Sequence, residues 1–137
     1  MRIMLAEDNP GDVLLFREAM RSSNVPYELI VADDGEKALK LLEKAGMPDS
    51  SARPDLIVLD INLPKRSGQE VLRWVRGNPG LATVPVMILT SSASPDDKTQ
   101  ATRLGADLYV QKSSNLDDIF AIGATVQRLV KGRPAEH

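Results

Sequence analysis

Leu56-Ile57-Val58-Leu59-Asp60, continued by Ile61-Asn62-Leu63-Pro64, is the stretch around which the chain is organised. Its apolar residues run straight into one aspartate. A short continuous apolar run predicts a strand buried on both faces, as in a parallel sheet covered by helices. Asp60 then stands at the carboxyl end of that strand, the edge where open α/β sheets bind ligands. Alone, an aspartate there reads as well as a cap for the following turn or helix. Pro64 and Gly68 shape the loop that comes next.

On the amino-terminal side, Arg2-Ile3-Met4-Leu5-Ala6 predicts a short strand ending in Glu7-Asp8-Asn9-Pro10. Asn9 or Asp12 is placed to cap a helix with apolar positions Val13, Leu14, Phe16, Ala19 and Met20. Pro26 forbids its continuation. Tyr27 to Ala32 reads as a second strand, and Asp33-Asp34-Gly35 turns into a helix with Ala38, Leu39, Leu41 and Leu42 on its apolar side. Residues 46–53 are polar and read as a mobile loop inserted before the central strand.

On the carboxyl-terminal side, a helix over Gly68 to Arg76 buries Val71, Leu72 and Val75, with Trp74 half-buried beside them. Val84 to Leu89 is a fourth buried strand, ending at Thr90. Ser94-Pro95 opens a helix with proline in its first turn, and Gly105 ends it. Asp107 to Gln111 is a fifth strand followed by Lys112. A last helix runs from Leu116 to Val130. The expected organisation is one domain over residues 1–130 with a polar tail over 131–137.

Strands alternating with helices imply a parallel sheet with right-handed crossovers and helices on both faces. At 137 residues the expected architecture is a flavodoxin-like (βα)5 doubly wound sheet of strand order 2-1-3-4-5. Composition narrows the function. With 17 basic and 19 acidic residues the net charge is −2, and no basic face points to nucleic acid. There is no cysteine, so neither a disulfide nor a thiolate metal site is available. The sole histidine is His137, at the end of the chain, which removes imidazole chemistry from the fold. No apolar run is long enough to span a membrane and no signal peptide precedes the first strand, so a cytoplasmic location is expected.

The 2-1-3-4-5 order gathers Glu7, Asp8, Asp60, Thr90 and Lys112 at neighbouring strand ends. Three carboxylates at one point repel unless a cation shares the site. Oxygen ligands with room for water suit Mg²⁺ better than zinc or copper. Lys112 and Thr90 supply a charge and a donor for the oxygens of a phosphoryl group, with Mg²⁺ on a third oxygen. Asp60 then reads as a nucleophile that becomes an acyl phosphate. Each residue has a plainer reading: an acidic helix cap, a turn threonine, a solvated lysine. Their convergence at one edge is what the plainer readings leave unexplained.

These residues resemble the pattern of receiver domains of two-component response regulators. That pattern is an acidic pair after the first strand (Glu7-Asp8), an aspartate after the third (Asp60), a hydroxyl residue after the fourth (Thr90) and a lysine after the fifth (Lys112). Pro64, Gly68 and Gly105-Ala106-Asp107-Leu108-Tyr109 also fit. The run Glu7-Asp8-Asn9-Pro10-Gly11-Asp12, the insertion before the third strand and Lys112-Ser113 are similar to the single-domain regulators paired with bacterial phytochrome kinases. The resemblance implies that Asp60 accepts a phosphoryl group from a histidine kinase. It implies that Asp8, Asp60 and the Asn62 backbone carbonyl ligate Mg²⁺, with Glu7 acting mainly through water. It makes Thr90 and Lys112 the phosphoryl contacts and Tyr109 the switch aromatic, so the protein is a signalling partner rather than a stand-alone enzyme.

One position departs from the family. The lysine is usually followed by proline in a cis peptide, whereas here Ser113 follows. A cis bond before a non-proline residue costs about 2.5–4 kcal/mol. Cis is the expectation adopted here, because active sites are where such strain persists. Two other functions compete. A hydrolase of the haloacid-dehalogenase type needs a carboxylate two residues after its nucleophile, where this chain has Asn62. A flavodoxin needs phosphate-binding loops where this chain has two acids. Finally, the last helix spreads Leu116, Ile119, Phe120, Ile122, Gly123, Val126, Leu129 and Val130 over roughly half its circumference, more than one sheet face requires. Surplus apolar surface at Phe120, Ile122 or Leu129 predicts a partner site, and the resemblance to phytochrome-type regulators, which pair through the fourth helix, fifth strand and fifth helix, implies that it is a homodimer through the fifth strand and helix with Tyr109 coupled to it.

Overall fold

Side chains alternate from one face of a strand to the other, and in this protein both faces are apolar because helices cover both. In the computed structural model, β1 (Arg2–Ala6), β2 (Glu28–Ala32), β3 (Leu56–Leu59), β4 (Val86–Thr90) and β5 (Leu108–Gln111) alternate with α1 (Pro10–Arg21), α2 (Gly35–Ala45), α3 (Gly68–Gly77), α4 (Pro95–Arg103) and α5 (Leu116–Lys131). The structure describes residues 1–21, 23, 25–112 and 116–131, with the side chains of 116–120 left aside. The strands form one sheet of order β2-β1-β3-β4-β5, and all pairings are parallel, as the sequence implies.

The central run divides its side chains between two cores. Ile57 and Leu59 join Met4, Ala6, Val86 and Ile88 beneath Leu42 of α2, Val71, Leu72 and Val75 of α3 and Ala101 of α4. Leu56 and Val58 join Ile3, Leu5, Met87 and Leu89 beneath Phe16 and Met20 of α1 and Val126 of α5. Each of the four residues of β3 is fully buried. Truncating such a leucine costs about 2–5 kcal/mol.

Helix starts follow the local chemistry. Asn9, rather than Asp12, caps α1, its Oδ1 accepting from the amides of Gly11 at 2.8 Å and Asp12 at 3.2 Å. Asp34, Ser67 and Ser94 cap α2, α3 and α4. Several expectations need correction. Leu14 is 64% exposed and Leu41 38% exposed, because Phe16, Ala19 and Met20 form the inward stripe of α1 and Leu41 lies at the margin of α2. β4 starts at Val86, not Val84: the Val84 amide closes a turn onto the Leu81 carbonyl, and Pro85 has no amide to give the ladder. In the loop over residues 46–53 the Ser51 carbonyl accepts from the Arg2 guanidinium, and just beyond it Asp55 accepts from the Arg2 amide at 2.7 Å. Ile122 and Leu129 are half-buried against the second core rather than open to solvent. The expected cis bond involves Ser113, and the expected exposure of Phe120 a side chain, that lie outside the described residues. So does the tail from residue 132 onward; α5 itself runs through Lys131, one residue past the expected boundary.

Gly68 sets the distance between α3 and the end of β3. A Cβ on it would lie 2.2 Å from the Asp60 carbonyl oxygen, and its amide donates to the Ile61 carbonyl at 3.0 Å. Only a residue without a side chain allows that approach. The start of α3 is thereby pressed against the backbone that carries Asp60.

Candidate functional site

The site is built from residues at the carboxyl ends of strands, each held by one more backbone bond beyond its strand. The Glu7 amide donates to Ala32 at 2.9 Å, the Asp60 amide to Ala6 at 3.1 Å and the Lys112 amide to Thr90 at 2.7 Å. The parallel ladder thus fixes the backbone under Glu7, Asp60 and Lys112 in common register. Carboxylate oxygens of Glu7, Asp8 and Asp60 lie within 4.8 Å of one another. Glu7 and Asp60 are buried and Asp8 is exposed.

Both oxygens of Asp60 are engaged. Oδ1 accepts from the Thr90 hydroxyl at 2.8 Å and from the Asn62 amide at 3.0 Å. Oδ2 accepts from Lys112 Nζ at 2.8 Å. Nζ also donates to Glu7 and, at 2.8 Å, to Asp12 Oδ2. Asp12 is the site residue that sequence reasoning missed. No local signal marked it, since Asn9 and Asp12 were equally good caps for α1 and its partner Lys112 is 100 residues away.

Electrostatics separate the two buried acids. Burial pushes Glu7 up to about 8 and Asp60 adds to the push, against the pull of Lys112. Burial also works against the charged form of Asp60, but hydrogen bonds from Lys112, the Asn62 amide and Thr90 outweigh it and hold this carboxyl below its usual value. Lys112 is held above its ordinary value: burial opposes its charge, but bonds to Asp12, Asp60 and Glu7 prevail. In the metal-free site, Asp60 is ionised at neutral pH and Glu7 tends to keep its proton.

Tyr109 sits apart from the carboxylates. Its ring is half-buried against the α2–α4 core, and its hydroxyl donates to the Ser92 carbonyl at 3.0 Å. Ser92 in turn donates its hydroxyl to Asp97 of α4 at 2.6 Å. The loop after Thr90 therefore connects the acidic pocket to β5 and α4.

Residues 3–123 match the family model described as the response regulator receiver domain. The chain belongs to this family. Receivers are signalling proteins of two-component systems that work with histidine kinases and bind a divalent metal in the acidic pocket. This receiver is 42% identical over 118 residues to the response regulator Rcp1 of Synechocystis sp., covering 86% of this chain and 80% of that protein. It is 34% identical over 110 residues to the polar-differentiation response regulator DivK of Brucella anthropi, covering 80% of this chain and 82% of that one. Among solved structures it is similar to the phosphorylated cyanobacterial phytochrome response regulator RcpA, with a TM-score of 0.85, 36% identity, and coverage of 97% of this chain and 96% of that one. The Mn²⁺-bound form of Rcp1 gives a TM-score of 0.83 at 36% identity, covering 99% of each chain. Among the described residues of this receiver, no helix is long and apolar enough to cross a membrane.

Proposed function

We propose that this receiver accepts a phosphoryl group on Asp60 from the phosphohistidine of a sensor kinase, in the presence of Mg²⁺, and passes the change on by protein contact. The observation that carries this reading is the state of Asp60 itself. It is a buried, ionised carboxylate with a hydroxyl on one oxygen and an ammonium on the other, each at 2.8 Å. Those two donors suit the oxygens of an incoming phosphoryl group. The remaining negative charge calls for a cation. An all-oxygen donor set, partly exposed through Asp8, fits a hard dication that keeps some of its water. Glu7, Asp8, Asp60 and the Asn62 carbonyl would hold Mg²⁺, with Glu7 acting mainly through water. When bound, the ion supplies positive charge to the pocket and to a phosphoryl oxygen.

In the transfer, an Asp60 carboxylate oxygen bonds to phosphorus while the P–N bond to the donor imidazole breaks. The electron pair of that bond stays on the imidazole nitrogen. Lys112 and Thr90 each turn a donor toward a phosphoryl oxygen and keep their protons. Thr90 then follows the new group, and Tyr109, bonded two residues further along that loop, responds through Ser92. The likeness to RcpA and to the bacteriophytochrome response regulator RtBRR, 33% identical with a TM-score of 0.77, supports a phytochrome-type kinase as donor. A cytoplasmic setting accords with that role.

Incubation with acetyl phosphate and Mg²⁺, followed by intact mass measurement, tests the reading. One phosphoryl group is expected on the wild type and none on Asp60→Asn or without a divalent cation. Equal uptake by Asp60→Asn would overturn it. Output is assigned to the face of α4, β5 and α5, as a two-fold homodimer. Tyr109 on β5, whose hydroxyl reaches the loop after Thr90 through the Ser92 carbonyl, supports this. Light scattering over a concentration series should show a dimer that responds to phosphorylation; a monomer throughout, phosphorylated or not, removes it.

A further inference from the structure

Asp12 lies outside the trio of carboxylates that suits a cation, yet it takes one of the three N–H donors of Lys112. Its side chain is 30% exposed, in the first turn of α1, and its own amide is held by the Asn9 side chain at 3.2 Å. The carboxylate therefore stands on a capped, fixed helix start. Lys112 needs such an anchor. A lysine ammonium is a point charge on a flexible four-carbon stem. Gln111 and Ser113 flank it, and neither supplies the ring that stiffens backbone. Its other two partners, Glu7 and Asp60, belong to the acidic trio and share their charge with whatever cation enters it. Asp12 stands outside that trio and bonds Lys112 from a separate element, α1.

We infer that Asp12 is a positioning residue: from α1 it holds the Lys112 ammonium beside Asp60, so that one N–H points at the phosphoryl group as it arrives. This rests on the reading of Asp60 as phosphoryl acceptor. With phosphoramidate as donor, an Asp60 oxygen bonds to phosphorus and the P–N bond breaks. The electron pair leaves on nitrogen as ammonia, whose protons the zwitterionic donor already carries. Lys112 donates to a phosphoryl oxygen throughout and gives up no proton. Displacing it weakens that contact in the transition state without removing a metal ligand.

The experiment compares phosphoramidate uptake, at saturating Mg²⁺, by the wild type, Asp12→Asn, Asp12→Ala, Lys112→Met and the double variant Asp12→Asn with Lys112→Met. Melting curves establish that each is folded. Slowing of roughly tenfold is expected for Asp12→Asn, on the scale of a misplaced catalytic contact, and at least as much for Asp12→Ala. The rate should fall far more than Mg²⁺ affinity, and Asp12→Asn should add nothing once Lys112 is methionine. A merely structural role would slow both backgrounds alike. Equal rates for wild type and Asp12→Asn, or equal slowing in both backgrounds, would overturn the inference. Failure of the wild type to take up any phosphoryl group would instead defeat the reading of Asp60, and the inference with it.

Discussion

Glu7 carries the largest electrostatic tension among the acids of the pocket, and its sign gives a measurable profile. Its folded pKa of about 8 lies above the ordinary 4.5, so between those values the folded state binds a proton that the unfolded state releases. The stability from this proton is complete below the ordinary value and is lost as pH rises through about 8. Asp60 works in the opposite sense: its contribution is present above its ordinary value and is lost in acid, as pH falls through its depressed one. The metal-free protein should therefore melt highest near about pH 5 and lose on the order of a few kcal/mol toward mildly alkaline pH. Glu7→Gln should flatten that decline. Mg²⁺ should reverse it, because a cation needs the carboxylate and its stabilising effect grows with pH. A metal-free melting profile that rises through neutral pH would contradict this account. At this scale the sequence was highly informative: Glu7, Asp8, Asp60, Thr90 and Lys112 stand together as their strand-end positions imply. Asp12 was not legible, because its partner is 100 residues away and its local role as a helix cap had an equally good candidate in Asn9.

α3 shows what an element contributes to the site beyond burial. It begins on Gly68 against the Asp60 carbonyl and ends on Gly77, around which a Cβ would meet nothing within 4 Å. The same substitution at the two ends of one helix should have opposite effects. Gly68→Ala must push α3 away from β3 and should cost roughly 2–4 kcal/mol, weakening Mg²⁺ binding as Asp60 shifts. Gly77→Ala should be neutral or gain up to about 1 kcal/mol. Urea titrations of both variants check this, and equal effects would refute it. In the last turn of α3, Arg76 bonds the carbonyls of Gly105, Ala82 and Val84 and the carboxylate of Asp107, tying α3 to the approaches of β4 and β5. Apolar patterning revealed the strands and helices described except α4, which buries little beyond Ala101 and was marked by Ser94-Pro95 at its start and Gly105 at its end. It did not reveal this tie, because most of the acceptors are main-chain oxygens that every sequence possesses. It also overstated α1 and α2, since Leu14 and Leu41 fit a helical stripe whose inward half was already filled.

Across the whole molecule, burial is uneven in a way the sheet order explains. β3 and β4 are buried from end to end, and β1 nearly so, whereas the outer strands β2 and β5 are mostly half-buried. Alternating strands and helices made this order readable, since right-handed crossovers leave few arrangements. Amide exchange should be slowest in β3 and β4 and clearly faster in β5; uniform protection across the sheet would refute that gradient. The site straddles this gradient. Asp60 and Thr90 belong to the fully buried middle, while Lys112 and Tyr109 belong to the half-buried margin. The pocket is in effect a caliper with one jaw set deep in the sheet and the other at its shallower edge. A group added at Asp60 should therefore shift β5 more readily than β3, the strand that bears it.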